Sequence, residues 1–235
     1  MTKSKAPTPG HEPPTVFECE DKNFSREPAE RHSFSARPDA RISLIAPPGR
    51  GKSGCIKNWA CHGNYRVVFV AHGANTDDGQ KQTKEYDLID HTAVSFETHG
   101  PDFYIQQSEK HDGGPMLLIC DDLDYAGFSK TARANMYKVC QFVCTHYRMT
   151  MLCSAHSWPQ LVPRVRRLCD VHCIWPCSRD QVPYIARGLG TSKENLARAF
   201  SRCKTPYDFV VIERGAPTWR SAWRINGHVA FTPDE

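Results

Sequence analysis

The sequence predicts an α/β domain of three layers, with a mostly parallel central sheet covered by helices on both faces. Three observations predict it. Short apolar, β-branched runs such as RVVFVA (66–71) and MLLICD (116–121) read as strands buried on both sides. Segments with apolar residues at helical spacing alternate with them. A Gly-rich turn, APPGRGKSG (46–54), joins the first such strand to the first helix.

Residues 1–37 are rich in Pro, Ser and charge and poor in apolar residues, so a largely disordered tail is expected, with Val16–Phe24 as a short edge element. The folded domain is expected over 38–235, with order beginning near Asp39. Arg41–Ala46 is predicted as a buried strand, and the helix after the turn runs from Lys52 to Cys61. Arg66–Ala71 is the second strand. The polar segment 72–90 reads as a loop, and on composition is a candidate DNA-facing loop. Thr92–Phe96 is predicted as a strand, Asp102–Lys110 as a short helix and Met116–Asp121 as a strong strand. In Lys130–Tyr147, Ala134, Tyr137, Val139, Phe142 and Val143 give helical spacing. Met149–Ser154 and Val171–Trp175 are further strands, 179–203 is helical, and Tyr207–Glu213 and Ser221–Asn226 are two closing strands.

A chain of 235 residues accommodates one α/β domain plus a tail. Its 40% hydrophobic and 24% charged content is ordinary for a globular protein. No apolar run reaches about 18 residues, so no spanning helix and no membrane partner are predicted. MTKSKAPTPGHEPP has no apolar core behind its lysines, so no export signal is read and an intracellular setting is expected. The net charge is +4, short of the strong basic signature of a nucleic-acid binder. Residues 1–37 carry six basic and six acidic groups, so the surplus sits on 38–235. The 11 cysteines are expected to be reduced and partly buried. Cys169, His172, Cys173 and Cys177 suggest zinc, but on a strand residues four apart lie roughly 13 Å from each other, and Pro176 argues against a helix. Buried strand cysteines are the better reading.

The turn carries the chemistry. The pattern G-x-x-x-x-G-K-[ST] lets backbone N–H groups close around phosphate. Here it reads Ala46, Pro47, Pro48, Gly49, Arg50, Gly51, Lys52, Ser53, with Gly54 following. Ala46 replaces the first glycine, a small change where φ stays negative. Lys52 is expected to reach the β- and γ-phosphates and Ser53 to hold Mg²⁺ of an ATP-Mg²⁺ complex, aided by the helix N-terminus. This predicts a P-loop NTPase fold of the RecA-like, additional-strand type. Asp121, at the tip of the strand LLIC, suits Mg²⁺, and Asp122 suits the general base that activates water. Asp122 is one methylene shorter than the glutamate commoner there. One of the two acids capping the next helix is the plainer alternative. Ser154 or His156, at the end of the next strand, is the candidate γ-phosphate sensor. Among Arg164, Arg166 and Arg167, Arg166 is the candidate arginine finger towards a neighbouring subunit's ATP; DNA-phosphate contacts or a solvated basic face are the alternatives.

This order of features resembles the viral genome-packaging ATPases of the FtsK–HerA superfamily, in their poxvirus-like and giant-virus-like branch. The resemblance covers roughly residues 40–228. It is carried by the phosphate loop, LLICDDL (117–123), THYRMT (145–150) with His146 and Arg148, VPRVRRLCD (162–170), and YDFVVIERGAPTWRSAWRING (207–227). It implies a motor that hydrolyses ATP to drive double-stranded DNA into a capsid, as a homo-oligomeric ring of five or six subunits, with a capsid or portal protein as a further partner. It implies action in an infected host cell, cytoplasm or nucleus, and in the virion. Lys52 and Ser53 would bind ATP-Mg²⁺, Asp121 support the metal and Asp122 activate water. Two departures stand out: Ala46 in the loop, and His156 where a glutamine is usual. The competing functions are a nucleoside or nucleotide kinase, which needs an arginine-bearing lid from 179–203, and a nucleotide-dependent assembly scaffold.

Overall fold

The computed structural model describes residues 39–62, 65–72, 86, 89–214, 223–226 and 229–231. The tail expected over 1–37 lies outside the described residues, as does most of the segment 72–90. Strands β1 (Arg41–Ile45), β2 (Val67–His72), β3 (Thr92–Ala93), β4 (Met116–Asp121), β5 (Met149–Ala155), β6 (Val171–Ile174), β7 (Val210–Glu213), β8 (Trp223–Ile225) and β9 (Val229–Phe231) make one sheet. Its order is β3-β2-β4-β5-β1-β6-β7-β8-β9. From β3 to β6 all pairs are parallel, and β7 to β9 close the sheet in antiparallel fashion. As the additional-strand arrangement requires, β5 lies between the phosphate-loop strand β1 and the acidic strand β4.

The pleat divides the core. Ile42, Leu44, Val68, Val70, Leu117, Ile119 and Leu152 face one side, where Ile56 and Ala60 of helix α1 (Lys52–His62) cover them. Phe69, Met116, Leu118, Cys120, Met151 and Cys153 face the other. That side is covered by α2 (Pro101–Lys110), α3 (Lys130–Lys138), α4 (Pro163–Leu168), α5 (Val182–Leu189) and α6 (Lys193–Ser201), through Tyr104, Met136, Val165, Ile185 and Leu196. Such side chains stabilise the fold by about 1.5–3 kcal/mol each on burial. The helix α3 continues through a π turn, Val139–Val143, into Cys144–His146.

Several boundaries differ from the sequence expectation, each for a local reason. β3 stops at Ala93 because the Ser95 carbonyl accepts from His99 N (2.7 Å) and turns the chain away. The helix expected over 179–203 is two helices. Gly190 adopts left-handed φ +72°, Thr191 N donates back to Ala186 O (2.9 Å), and Ser192 caps α6 by accepting from Asn195 N. Both helices pack against the sheet. β7 starts three residues late because Asp208 accepts from the Lys204 and Thr205 amides in a turn of its own. β9 was not foreseen.

At the base of the sheet Asp170 accepts from Arg41 Nε (2.9 Å), Nη2 (3.1 Å) and backbone N (3.0 Å), pinning β1 to β6. Above it Ser43 and His172 Nδ1 lie 2.7 Å apart inside the sheet, with the ring against Trp158. Burial, then the charge of Arg214, push the His172 imidazole down to about 3 from 6.5; Asp170 pulls the other way, and Arg166 adds a smaller push down. The unfolded chain takes up this proton near 6.5 and the folded chain does not, so stability is full above that pH and falls as pH drops towards about 3. The slope approaches ~1.4 kcal/mol per pH unit. His172→Asn, which keeps a partner for Ser43, should flatten the pH dependence of the urea midpoint between about pH 6.5 and 4.5; parallel curves for the two proteins would count against this role.

Candidate active site

The loop between β1 and α1 takes its shape from two glycines. Gly49 has φ +73° and Gly51 φ +82°, both in the left-handed region. A Cβ on Gly51 would in addition lie 3.3 Å from Tyr207 Cδ1. Ala46, in the first-glycine position, is fully buried, its φ is not positive, and its N–H donates to Ala155 O (3.1 Å). Alanine therefore meets no backbone penalty there. Pro48, Gly49 and Gly51 are exposed, while Arg50, Ser53 and Gly54 are half-buried. α1 begins at Lys52, and the amides of its first turn have no partner one turn back, which suits an anion lying on the loop.

Lys52 is only 6% exposed, and its Nζ is paired with Asp122 Oδ1. The other oxygen, Asp122 Oδ2, lies 3.3 Å from His156 Nε2. One carboxylate thus stands between an ammonium and an imidazole. Asp122 has φ +48°, a conformation that Asp tolerates better than longer side chains do. This accounts for an aspartate at a position where a glutamate is commoner. The sheet register brings β4 and β5 side by side with Cys120 opposite Cys153 and sets Asp121 beside Ser154. The Ser154 hydroxyl donates to Asp121 Oδ1 and accepts from Asp122 N (2.9 Å), so one buried group positions both acids. Asp121, 1% exposed, receives a second hydrogen bond on Oδ2, from Tyr86 OH at 2.6 Å.

His156 is aimed by the turn that follows β5. Gln160 Oε1 accepts from His156 N (2.8 Å) and Ser157 N (3.0 Å), completing a capping box with Ser157. Its Nδ1 is buried and has no hydrogen-bond partner among the described residues. The fold therefore gathers Lys52, Asp121, Asp122, Ser154 and His156 beside the loop. Both sensor candidates are used, in different ways: Ser154 orients the acids, and His156 contacts Asp122.

The arginines are held elsewhere. Arg166 lies over the Trp158 ring, 5.1 Å from its centroid, and burial followed by the nearby Arg167 charge lowers its basicity. Arg164 lies over Tyr137 at 4.6 Å and donates to Gln141 Oε1 (3.3 Å), while Arg167 is exposed. The THYRMT segment is a helix exit: Arg148 takes φ +50° and its carbonyl accepts from Met116 N (3.1 Å).

An oxygen-only donor set, the Ser53 hydroxyl and the Asp121 carboxylate, fits a hard cation such as Mg²⁺, which keeps most of its waters. Asp121 already accepts two hydroxyls, so its remaining lone pairs suit a metal-bound water rather than direct ligation. Among the described residues no three His, Cys, Asp or Glu side chains gather as a metal cage. Cys173 and Cys169 face opposite sides of the sheet, and burial raises both thiols well above the usual range.

Tyr86 was missed by sequence reasoning. It stands in the polar segment read as a candidate DNA-facing loop, yet it is fully buried, and Ile89 is buried with it. The available signal was an aromatic and an aliphatic residue three apart in an otherwise polar run.

No protein-family model matches this chain, and no curated protein matches it. Among solved structures it is similar to the genome-packaging NTPase B204 of Sulfolobus turreted icosahedral virus 2. The sulfate complex has TM-score 0.54 and 14% identity, over 83% of this chain and 98% of that one. The ATP-gammaS complex has TM-score 0.50 and 16% identity, with the same coverages. B204 of Sulfolobus turreted icosahedral virus, described as a DNA-packaging ATPase, has TM-score 0.53 and 15% identity, over 83% and 99%. At these identities the likeness is one of fold: the chain has the α/β P-loop NTPase fold seen in viral genome-packaging NTPases.

Proposed function

We propose that this chain hydrolyses ATP and uses the energy to translocate double-stranded DNA into a viral capsid. The observation that carries the reading is Asp122, held between Lys52 and His156 at the rim of a Gly49–Gly51 phosphate loop. In this reading the loop amides and the first turn of α1 bind the triphosphate, and Lys52 leaves Asp122 for the β- and γ-phosphate oxygens. Asp122 then accepts a proton from the water that attacks the γ-phosphorus as the bond to the ADP oxygen breaks. His156 holds the second oxygen of Asp122, and Ser154 keeps the two acids in register. Mg²⁺, held by Ser53 and through water by Asp121, would neutralise charge on the phosphates.

Arg166 is assigned as the residue that reaches a neighbouring subunit's ATP in a closed ring. A ring also lets the modest positive surplus of each chain add up around a duplex. The named packaging role of the B204 proteins, whose fold this chain matches over almost their whole length, supports DNA as the partner. The setting that follows is an infected cell. The kinase reading is disfavoured because α5 and α6, where its lid would lie, bury Ile185, Ala186, Leu189 and Leu196 in the core.

ATPase turnover measured with and without linear duplex DNA tests the proposal. Turnover should rise severalfold with DNA at low salt, and the gain should disappear as salt increases. Turnover by folded, oligomeric protein that ignores duplex DNA at low salt would sink the translocase, and phosphate transfer to a nucleoside would replace it with the kinase.

A further inference from the structure

The YDF…N pattern near the C-terminus plays no part in the hydrolytic cluster, yet it builds a braced loop beside the phosphate site. Asp208 Oδ2 accepts from the amides of Lys204 (2.6 Å) and Thr205 (2.9 Å), and Oδ1 accepts from Thr205 Oγ1 (2.9 Å) and Asn226 Nδ2 (2.9 Å). Asn226 Oδ1 in turn accepts from Phe209 N (2.9 Å). From below, the fully buried Trp175 donates its indole N–H to the Tyr207 carbonyl (3.0 Å) and stacks on Phe209 at 4.3 Å. Trp175 holds the Tyr207 carbonyl directly, the other contacts fix the backbone on either side of it, and none of them uses its ring. Tyr207 is 58% exposed, and its Cδ1 lies 3.3 Å from where a Cβ on Gly51 of the phosphate loop would stand.

Position in the sheet says what this ring faces. The acids and the sensor residues stand on β4 and β5, on one side of β1; Tyr207 leads into β7, beyond β6 on the other side. A triphosphate whose γ-phosphate lies at Asp122 therefore extends its α-phosphate and nucleoside away from β4 and β5, towards the side that carries Tyr207. An isolated exposed aromatic is ordinary on a protein surface. One in a loop braced by six hydrogen bonds, against the loop that grips phosphate in this reading, is placed for a flat ligand.

We propose that Tyr207 is the stacking platform for the purine base of the bound nucleoside triphosphate. The proposal rests on the nucleotide-binding reading given above and adds the base site to it. Stacking uses the π-face common to all bases, so the platform tolerates adenine and guanine alike. Removing the ring costs base affinity while leaving the phosphate grip of Lys52 and the loop amides in place.

The test compares equilibrium binding of ATP and of inorganic tripolyphosphate, both with Mg²⁺, to the full-length wild type, Tyr207→Ala and Tyr207→Phe. Tyr207→Ala should weaken ATP binding roughly tenfold and leave tripolyphosphate unchanged. Tyr207→Phe should stay within about twofold of wild type for both ligands, since the ring is kept. Unchanged ATP affinity in Tyr207→Ala, or an equal loss of both ligands, overturns the stacking role while leaving the phosphate site standing. A wild type that takes up neither ligand overturns the nucleotide reading, and the base site with it.

Discussion

Asp122→Asn is expected to hydrolyse ATP about 10²–10⁴ times more slowly than the wild type, the size of a general-base contribution, while binding ATP-Mg²⁺ at least as tightly. Asparagine is nearly the same size and is at home at φ +48°, so the backbone after β4 has no reason to move. The amide cannot take the proton from water. Nor can it hold Lys52 as strongly as the carboxylate does, so the ammonium is freer to meet phosphate. Single-turnover hydrolysis read beside equilibrium binding separates the two effects. Weaker binding with unchanged turnover would show that Asp122 serves the ground state only, and the base would have to be sought elsewhere.

Lys52→Ala is expected to remove both steps: ATP affinity falls, and turnover drops by about 10²–10³-fold or more as one phosphate-stabilising donor is lost. A second readout is the melting temperature. Ligand binding raises the stability of the wild type by mass action, and that rise should be absent in the variant. Some intrinsic stability is lost too, because Asp122 loses its ammonium partner and keeps His156 and a long contact from the Ser154 hydroxyl (3.5 Å). Asp122 is 33% exposed, so water screens the orphaned charge and the loss stays near the low end for ion pairs, roughly 1 kcal/mol. Equal ATP-induced stabilisation of the variant and the wild type would rule out the phosphate loop as the nucleotide site.

The central strands and the phosphate loop were legible because their signals are local. β2, β4 and β5 are nearly unbroken apolar runs, and Gly49–Gly51 with Lys52 specify a loop conformation within a few residues. The pairing of Lys52 with Asp122 was not read from the sequence, where the two residues have separate tasks; it depends on where β4 lies relative to β1. What sequence could not give depends on register between strands distant in the chain. Ser154 was one of two candidates for a γ-phosphate sensor, and its hydrogen bonds to both aspartates across β4 were not foreseen. Tyr86 reaches Asp121 from 35 residues away, a contact no local pattern encodes. The break at Gly190 was visible as a glycine inside a helical run; the buried residues on either side carried the periodicity across it and concealed the stop. The same limit applies to Tyr207, which became informative only when the fold set it beside Gly51.

The paired cysteines at the centre of the sheet have a practical consequence. Cys120 and Cys153 stand opposite each other on β4 and β5, one residue before Asp121 and Ser154, and both are fully enclosed. The Cys153 thiol is held well above its ordinary range, by its contact with Cys120 and by burial. Both thiols are enclosed, so alkylating reagents reach them only when the two strands part. Their rate of attack is a built-in clock for the opening of the scaffold behind the aspartates, and it can be read in the natural protein without introducing a label.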